Sequence, residues 1–423
     1  MKGLVFTYLM TYGGSVVTLF DPFVGLLIYV CFSIVRPDSL WYWSVPPGNY
    51  SRIVALSLLF SWAVRGCGNW KFGRGGAVMA ALLGYFGWSI LGTVLVAREA
   101  DVAWGFVENT AKIVLPVVVG MTLIDSIAKA KLLSWVILVS QGYLALEFNL
   151  SYLEGLNRLK ELGFGGMDNN CMAISLVTCT GLGLFLGLDS ERWWQKGLAF
   201  GSVALMVHAV LFSFSRGGMF SLIIVGFVSF ILIPKKLNHY LMFLAIVLLT
   251  LRLAGPEVRA RFMTSVADES GQREESSQNR LDFWGYCWDS MQKRPLLGVG
   301  PDHYPIVVAV EHGRSAEAHS LWLQTGAELG FPGLFFLASF YLVCIARLFP
   351  LGVGWRPAAD PWFPVAARMV VASLTGFCVA AQFVTLEGLE VPYFVTLIGA
   401  SVLKMTSIPP GVPTPPHVRL AAR

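Results

Sequence analysis

Charge is what this sequence has least of. Of 423 residues only 13% are Asp, Glu, Lys or Arg, whereas a soluble domain carries about 25%. Length alone would suggest two to four soluble domains at roughly 100–200 residues each, but so few charges cannot solvate that much surface. A basic tract is also missing. The net charge is +5, yet the cations are spread between apolar runs, which argues against a nucleic-acid partner. The seven cysteines contain no CxxC pair and no zinc-ligand spacing. Cys31, Cys171, Cys179, Cys344 and Cys378 fall inside apolar runs, where a thiol is a small packing residue. Cys287 lies in a polar segment with no evident partner, so no disulfide is expected. A cleavage site is lacking too: the run that begins at Leu4 after Lys2 reads as a retained span.

Hydrophobic residues make up 55% of the chain, and the mean hydropathy is +0.63. They gather in runs long enough to cross roughly 30 Å of hydrocarbon. Spans are expected near 4–20, 22–35, 51–64, 77–97, 109–124, 131–149, 171–188, 197–215, 217–233, 239–253, 329–349, 364–385 and 390–406. Only Asp21-Pro22 divides the first two, so twelve or thirteen spans fit the pattern. The fold class that follows is an all-α polytopic membrane protein. Its organisation reads as an N-terminal transmembrane region over 1–165, a second transmembrane region over 166–406 that includes a long polar loop at 254–328, and a Pro-rich, disordered tail at 407–423. Connectors as long as that loop are usually functional or disordered.

The Lys and Arg of the short loops set the orientation, because cytoplasmic loops are the richer ones. With the long loop outside, the inner loops hold Arg65, Lys71, Arg74, Lys129, Lys131, Arg192, Lys196, Lys235, Lys236, Arg347, Arg356 and Arg368, and the tail adds more. The outer short loops hold only Arg36, Arg52, Arg98, Arg158, Lys160 and Arg216. The long loop therefore faces away from the cytoplasm.

Three segments are candidates for chemistry. Phe214-Ser215-Arg216-Gly217-Gly218 puts a cation and two glycines at an outer span boundary, where close approach of a ligand is easy. Snorkelling is the plain alternative for such an arginine. Asn279-Arg280-Leu281-Asp282-Phe283-Trp284 precedes the run Pro295-Leu296-Leu297-Gly298-Val299-Gly300-Pro301 in the long loop. Ala318-His319-Ser320 stands just before the chain re-enters the membrane, with Gly330 and Gly333 following. His303, His312 and His319 share a segment, but their spacings match no familiar zinc arrangement. Glu108 and Lys112 are spaced as a helical ion pair. Glu147 is an ionisable group in an apolar run, a functional candidate by default. Asp168-Asn169-Asn170 reads first as a helix cap, and His208 as a packed histidine.

Taken together these residues resemble the O-antigen ligase and polymerase superfamily of bacterial membrane glycan transferases. His319-Ser320, nine residues, Gly330, two residues, Gly333 matches the ligase signature H-(N/S)-x9-G-x-x-G. Ser215-Arg216-Gly217-Gly218, the Arg280 and Trp284 pair, and the 295–301 run follow the family in the same order. Val35-Arg36-Pro37 and Leu40-Trp41-Tyr42-Trp43 are similar to the O-glycosylation ligases that accompany exosortase systems. Gly300-Pro301-Asp302-His303-Tyr304 departs from the common pattern, which has a small residue and an amide before the aromatic.

The resemblance implies a membrane-glycosyltransferase (GT-C-like) helical bundle in the bacterial inner membrane, with a periplasmic loop over the active site. It implies a glycan donor carried on undecaprenyl diphosphate and a hydroxyl acceptor on a protein or lipid. It maps diphosphate binding onto Arg216 and Arg280 and the catalytic base onto His319. Lys112 becomes a further cation near the diphosphate, and Asn169 or Asn170 a donor or acceptor contact. No cofactor and no metal are expected: two guanidiniums can stabilise a leaving diphosphate by charge-assisted hydrogen bonds, and the loop holds no Asp-x-Asp pair. A polymerase shares these motifs. A non-enzymatic carrier of lipid-linked glycan is the competing class, but it gives no reason for an imidazole beside two cations.

Overall fold

A computed structural model describes residues 1–253, 275–386 and 388–407. The expectations for the acidic stretch 257–274 and for the tail 408–423 lie outside the described residues. Among the described residues the regular structure is helical, apart from one isolated bridge between Phe164 and Met167. Helix is what long apolar runs must form in hydrocarbon, where each backbone N–H and C=O has to be paired within its own segment.

Every expected apolar run coincides with a helix. In chain order these are α1 (Lys2–Phe20), α2 (Pro22–Val35), α3 (Tyr50–Val64), α4 (Gly76–Leu95), α5 (Ala100–Leu123), α6 (Ile127–Leu153), α7 (Asn169–Asp189), α8 (Trp193–Phe212), α9 (Arg216–Leu232) and α10 (Leu237–Leu253). The long segment contributes α11 (Glu275–Lys293) and α12 (Tyr304–His312), and α13 (Leu321–Gly352), α14 (Trp362–Ala380) and α15 (Val391–Met405) complete the chain. Nine helices among the described residues are long and apolar enough to cross a bilayer, and α3, α9 and α15 are shorter apolar helices. Asp21 settles the first boundary. Its backbone is extended, its carboxylate accepts the Phe23 N–H at 2.9 Å, and Pro22 opens α2; α1 and α2 are therefore separate helices.

The core is built around α7, of which 83% is buried over its most apolar stretch, against 28% for peripheral α1. Helix α7 packs on α14, α8 and α9, while α13 lies along α4 and α14. Small residues bring the axes close. A Cβ at Gly181 would stand 3.0 Å from Ala372, and one at Gly183 would stand 2.7 Å from Val203.

Two boundaries differ from the sequence expectation, and both shape the site. Helix α13 starts at Leu321 and not near 329, so the polar segment ends at Ser320. The expected start coincides instead with a break at Gly330 (φ 69°, ψ −175°), a conformation nearly exclusive to glycine. The 295–301 run is bonded to this break: Val299 N–H donates to Ala327 O (2.9 Å), Gly300 N–H to Glu328 O (3.0 Å) and Phe331 N–H to Pro295 O (2.9 Å). Helix α14 ends at Ala380, not 385. Residues 381–386 leave the helix where their carbonyls are taken by other segments of the chain, a demand that hydropathy does not register.

Candidate active site

The end of the bundle that carries α11 and α12 is the loop face. Three helices open there on capped N-termini. The Asp168 carboxylate accepts the Cys171 N–H (2.7 Å), the Ser215 hydroxyl accepts Gly218 N–H (3.2 Å), and the Ser320 hydroxyl accepts Leu323 N–H (3.4 Å). The capping residues sit beside Asn169, Arg216 and His319. Helix N-termini carry partial positive charge and favour anions.

His319 has φ +51°, a region that costs a side-chain-bearing residue about 1–3 kcal/mol unless its surroundings impose it. The surroundings do. Trp284 Nε1 donates to Ala318 O at 3.0 Å, and Ala318 N–H donates to Gln324 Oε1 at 3.0 Å. On the other side Leu321 N–H reaches Ala381 O (2.8 Å) and Val384 O (3.0 Å). The imidazole borders a cavity of about 410 Å³ that it shares with Asn279, Arg280, Phe283 and Arg314.

Burial and the Arg280 charge lower the His319 pKa below the ordinary imidazole value, with Asp168 acting in the opposite direction. The ring is thus neutral at pH 7 and can accept a proton. Asp168 itself stays ionised. Burial would raise its carboxyl, but hydrogen bonds from the Cys171 N–H and the Asn170 amide outweigh this and hold it below the usual range.

Arg280 lines the same cavity and donates from Nη1 to Phe383 O at 3.3 Å. Arg216 opens α9, half-buried and outside that cavity's lining. Its neighbour Gly217 lies against Phe383, where a Cβ would stand 3.2 Å away, and Phe220 meets the Phe383 ring at a centroid distance of 6.2 Å. Both arginine-bearing helices therefore converge on one residue of the 381–386 turn. Cys171 of α7 adds a contact to Thr385 O at 3.4 Å.

The remaining sequence candidates have more local surroundings. Trp284 holds the backbone next to His319, as described. Asn169 donates to Ser213 O at 2.8 Å and so fixes the turn before Arg216, while Asn170 bonds Asp168 and Asn169. Lys112 pairs with Glu108 at 2.9 Å in an exposed i,i+4 bridge. Glu147 accepts from Tyr143 OH at 2.6 Å within its own helix. Neither lines the His319 cavity. His208 packs among the rings of Tyr152 and Phe212.

The three loop histidines do not meet as one metal site. His303 Nε2 accepts the Glu99 N–H (2.9 Å), which places its proton on Nδ1, where it donates to Pro301 O (2.7 Å). His312 stacks on Tyr286 at 3.7 Å.

Five residues escaped the sequence reading. Arg314 lines the cavity beside Arg280, donates to Asn279 Oδ1 at 2.7 Å and covers the Phe283 ring at 5.1 Å. Gln324 accepts from Ala318 N–H and from the Thr385 hydroxyl (2.9 Å), and donates to Glu328 at 3.2 Å. The Glu328 carboxylate also accepts the Asp302 and Tyr304 N–H groups at 3.1 and 3.4 Å. Phe383 and Thr385 fall in what reads as the end of a span. One signal was present: Gln324 and Glu328, four apart, put two polar groups on one face of an otherwise apolar stretch.

All of these elements between α9 and the break in α13 fall within one recognisable stretch. Residues 201–338 match the family model described as O-antigen ligase. No curated protein matches the chain. The matched stretch contains Arg216, Arg280, Trp284 and His319 on a multi-pass helical scaffold, and over those residues the chain is similar to the O-antigen ligase family, whose members are glycosyltransferase- or ligase-type enzymes.

Proposed function

We propose that this chain is an inverting, metal-independent glycan transferase of the bacterial inner membrane. It moves a saccharide from undecaprenyl diphosphate to an acceptor hydroxyl of a protein or lipid on the periplasmic face. The observation that carries the reading is the neutral imidazole of His319 sharing one cavity with the guanidiniums of Arg280 and Arg314.

The acceptor hydroxyl attacks the anomeric carbon in line with the glycosidic C–O bond to diphosphate. As the new C–O bond forms, His319 takes the hydroxyl proton and the leaving oxygen departs with its electron pair. The leaving diphosphate gathers negative charge in that transition state, and fixed cations stabilise it most there. Arg280 and Arg216, on helices that meet at Phe383, supply that charge with capped helix N-termini beside them. A single displacement inverts the anomeric configuration.

The test is reconstitution with polyprenyl-diphosphate-linked saccharide presented on one side of a vesicle. Polyprenyl diphosphate release with inverted product is expected. His319→Ala should lower turnover by about 10²–10⁴-fold, the usual contribution of a positioned base, with donor affinity retained. Transfer at the wild-type rate by that variant, or movement of intact donor across the bilayer, would overturn the reading.

A further inference from the structure

The stretch that carries His319 has a second cavity against it, of about 150 Å³, bordered by α5, the first turns of α13, and Thr385, Leu386 and Gly388. Its lining differs in kind from that of the cation pocket. Among the described residues no lysine or arginine borders it. Asn109 and Thr110 come from α5, Thr325 and Glu328 from α13, and Asp302 from the loop, with the ring of Tyr393 alongside.

Several of these polar groups await a partner. Thr110 and Thr325 are 8% and 6% exposed. Neither hydroxyl makes a hydrogen bond among the described residues, nor does the Asp302 carboxylate; elsewhere in the bundle buried threonines such as Thr178 and Thr396 bond the carbonyl one turn back. Buried polar groups are normally satisfied. Both hydroxyls are therefore open to the cavity and can bond a polar group that enters it. Burial raises the Asp302 carboxyl, the His303 interaction opposing it.

The chemistry narrows the class. Carboxylates without cations repel a diphosphate. Apolar ligands would strand the threonines. Hydroxyls, amides, carboxylates and an aromatic face together suit a polyhydroxylated ring, and an engineered cavity of about 150 Å³ is known to hold one six-membered ring. We infer that this cavity is a saccharide subsite that seats one pyranose ring of the glycan being transferred or of the acceptor glycan, adjacent to the cation pocket. The inference rests on the transferase reading above.

Its test uses the full chain in detergent and three probes: farnesyl diphosphate, farnesyl diphosphate bearing glucose, galactose or N-acetylglucosamine, and the methyl glycosides of the same sugars. Wild-type protein should bind farnesyl diphosphate, and at least one sugar-bearing series should show sugar-dependent binding. Thr110→Val with Thr325→Val keeps the volume and removes two hydrogen-bonding groups, so sugar-dependent affinity should fall roughly 10-fold, with farnesyl diphosphate binding unchanged. Loss confined to the linked series identifies the donor ring; loss confined to the glycosides identifies the acceptor ring. The inference is overturned if neither series shows a sugar-dependent component, or if the double variant binds both as wild type does. Failure of wild-type protein to bind farnesyl diphosphate instead sinks the transferase reading.

Discussion

At the scale of single residues, the balance of charge around His319 sets when it can act. Burial and Arg280 hold its pKa low, and Asp168 pulls the other way. The base is active when neutral, so its activity is present above the folded pKa and lost as pH falls through it. The acid limb of kcat/KM should therefore lie below the ordinary histidine value of about 6.5. Asp168→Asn removes a carboxylate that favours the imidazolium and should move that limb further down. An Arg280→Gln enzyme with residual turnover should show it moved up. A pH–rate profile of the three proteins checks the signs, and a limb that stays in place in both variants would contradict the coupling. His319 and Arg280 were legible as residues because each is an ionisable group in an unusual place. Gln324 and Thr385 were not: their work is to hold the backbone of Ala318 and the 381–386 turn, and an amide or hydroxyl looks the same in sequence whether it bonds a carbonyl or water.

At the scale of elements, the break in α13 carries the most weight. A side chain at Gly330 would overlap the backbone of Leu296 and Pro295, and φ +69° disfavours any Cβ. Gly330→Ala should cost at least the ~1–3 kcal/mol of such strain and release the 295–301 run, seen as a lower melting temperature and loss of monodisperse protein. Gly105→Ala on α5, where nothing lies within 4 Å of the new methyl, should be neutral or stabilising by about 0.5–1 kcal/mol. Equal behaviour of the two variants would count against the packing described. The spans were readable because apolar runs are long and bilayer thickness is fixed. The kink was not, since the stretch 321–329 is apolar enough to pass for either loop or helix. The Glu328 carboxylate ties the two together, since the folded-back loop offers it the Asp302 and Tyr304 N–H groups.

At the scale of the molecule, the proposed orientation, argued from Lys and Arg, puts the loop face on the periplasmic side and can be tested by labelling. Ser315, exposed between α12 and α13, lies on that face, and Cys67, half-exposed between α3 and α4, lies at the opposite end. In intact spheroplasts a membrane-impermeant maleimide should label Ser315→Cys at once and native Cys67 only after permeabilisation. The reverse pattern would turn the whole arrangement over. The bundle as a class could be read from composition alone, whereas the convergence of α7, α9, α11 and α13 on Phe383 and Thr385 depends on tertiary packing that no local pattern encodes.

That convergence has a consequence for how the protein comes into being. Chains emerge from the ribosome N-terminus first, and the 381–386 turn leaves the tunnel after α7, α9, α11 and the start of α13. Until α14 and α15 are threaded into the bilayer, Arg280, Gln324 and Leu321 lack the acceptors and donors that hold them. The nascent chain therefore carries α7, α9, α11 and the first turns of α13 into the bilayer before the turn on which they converge has been made.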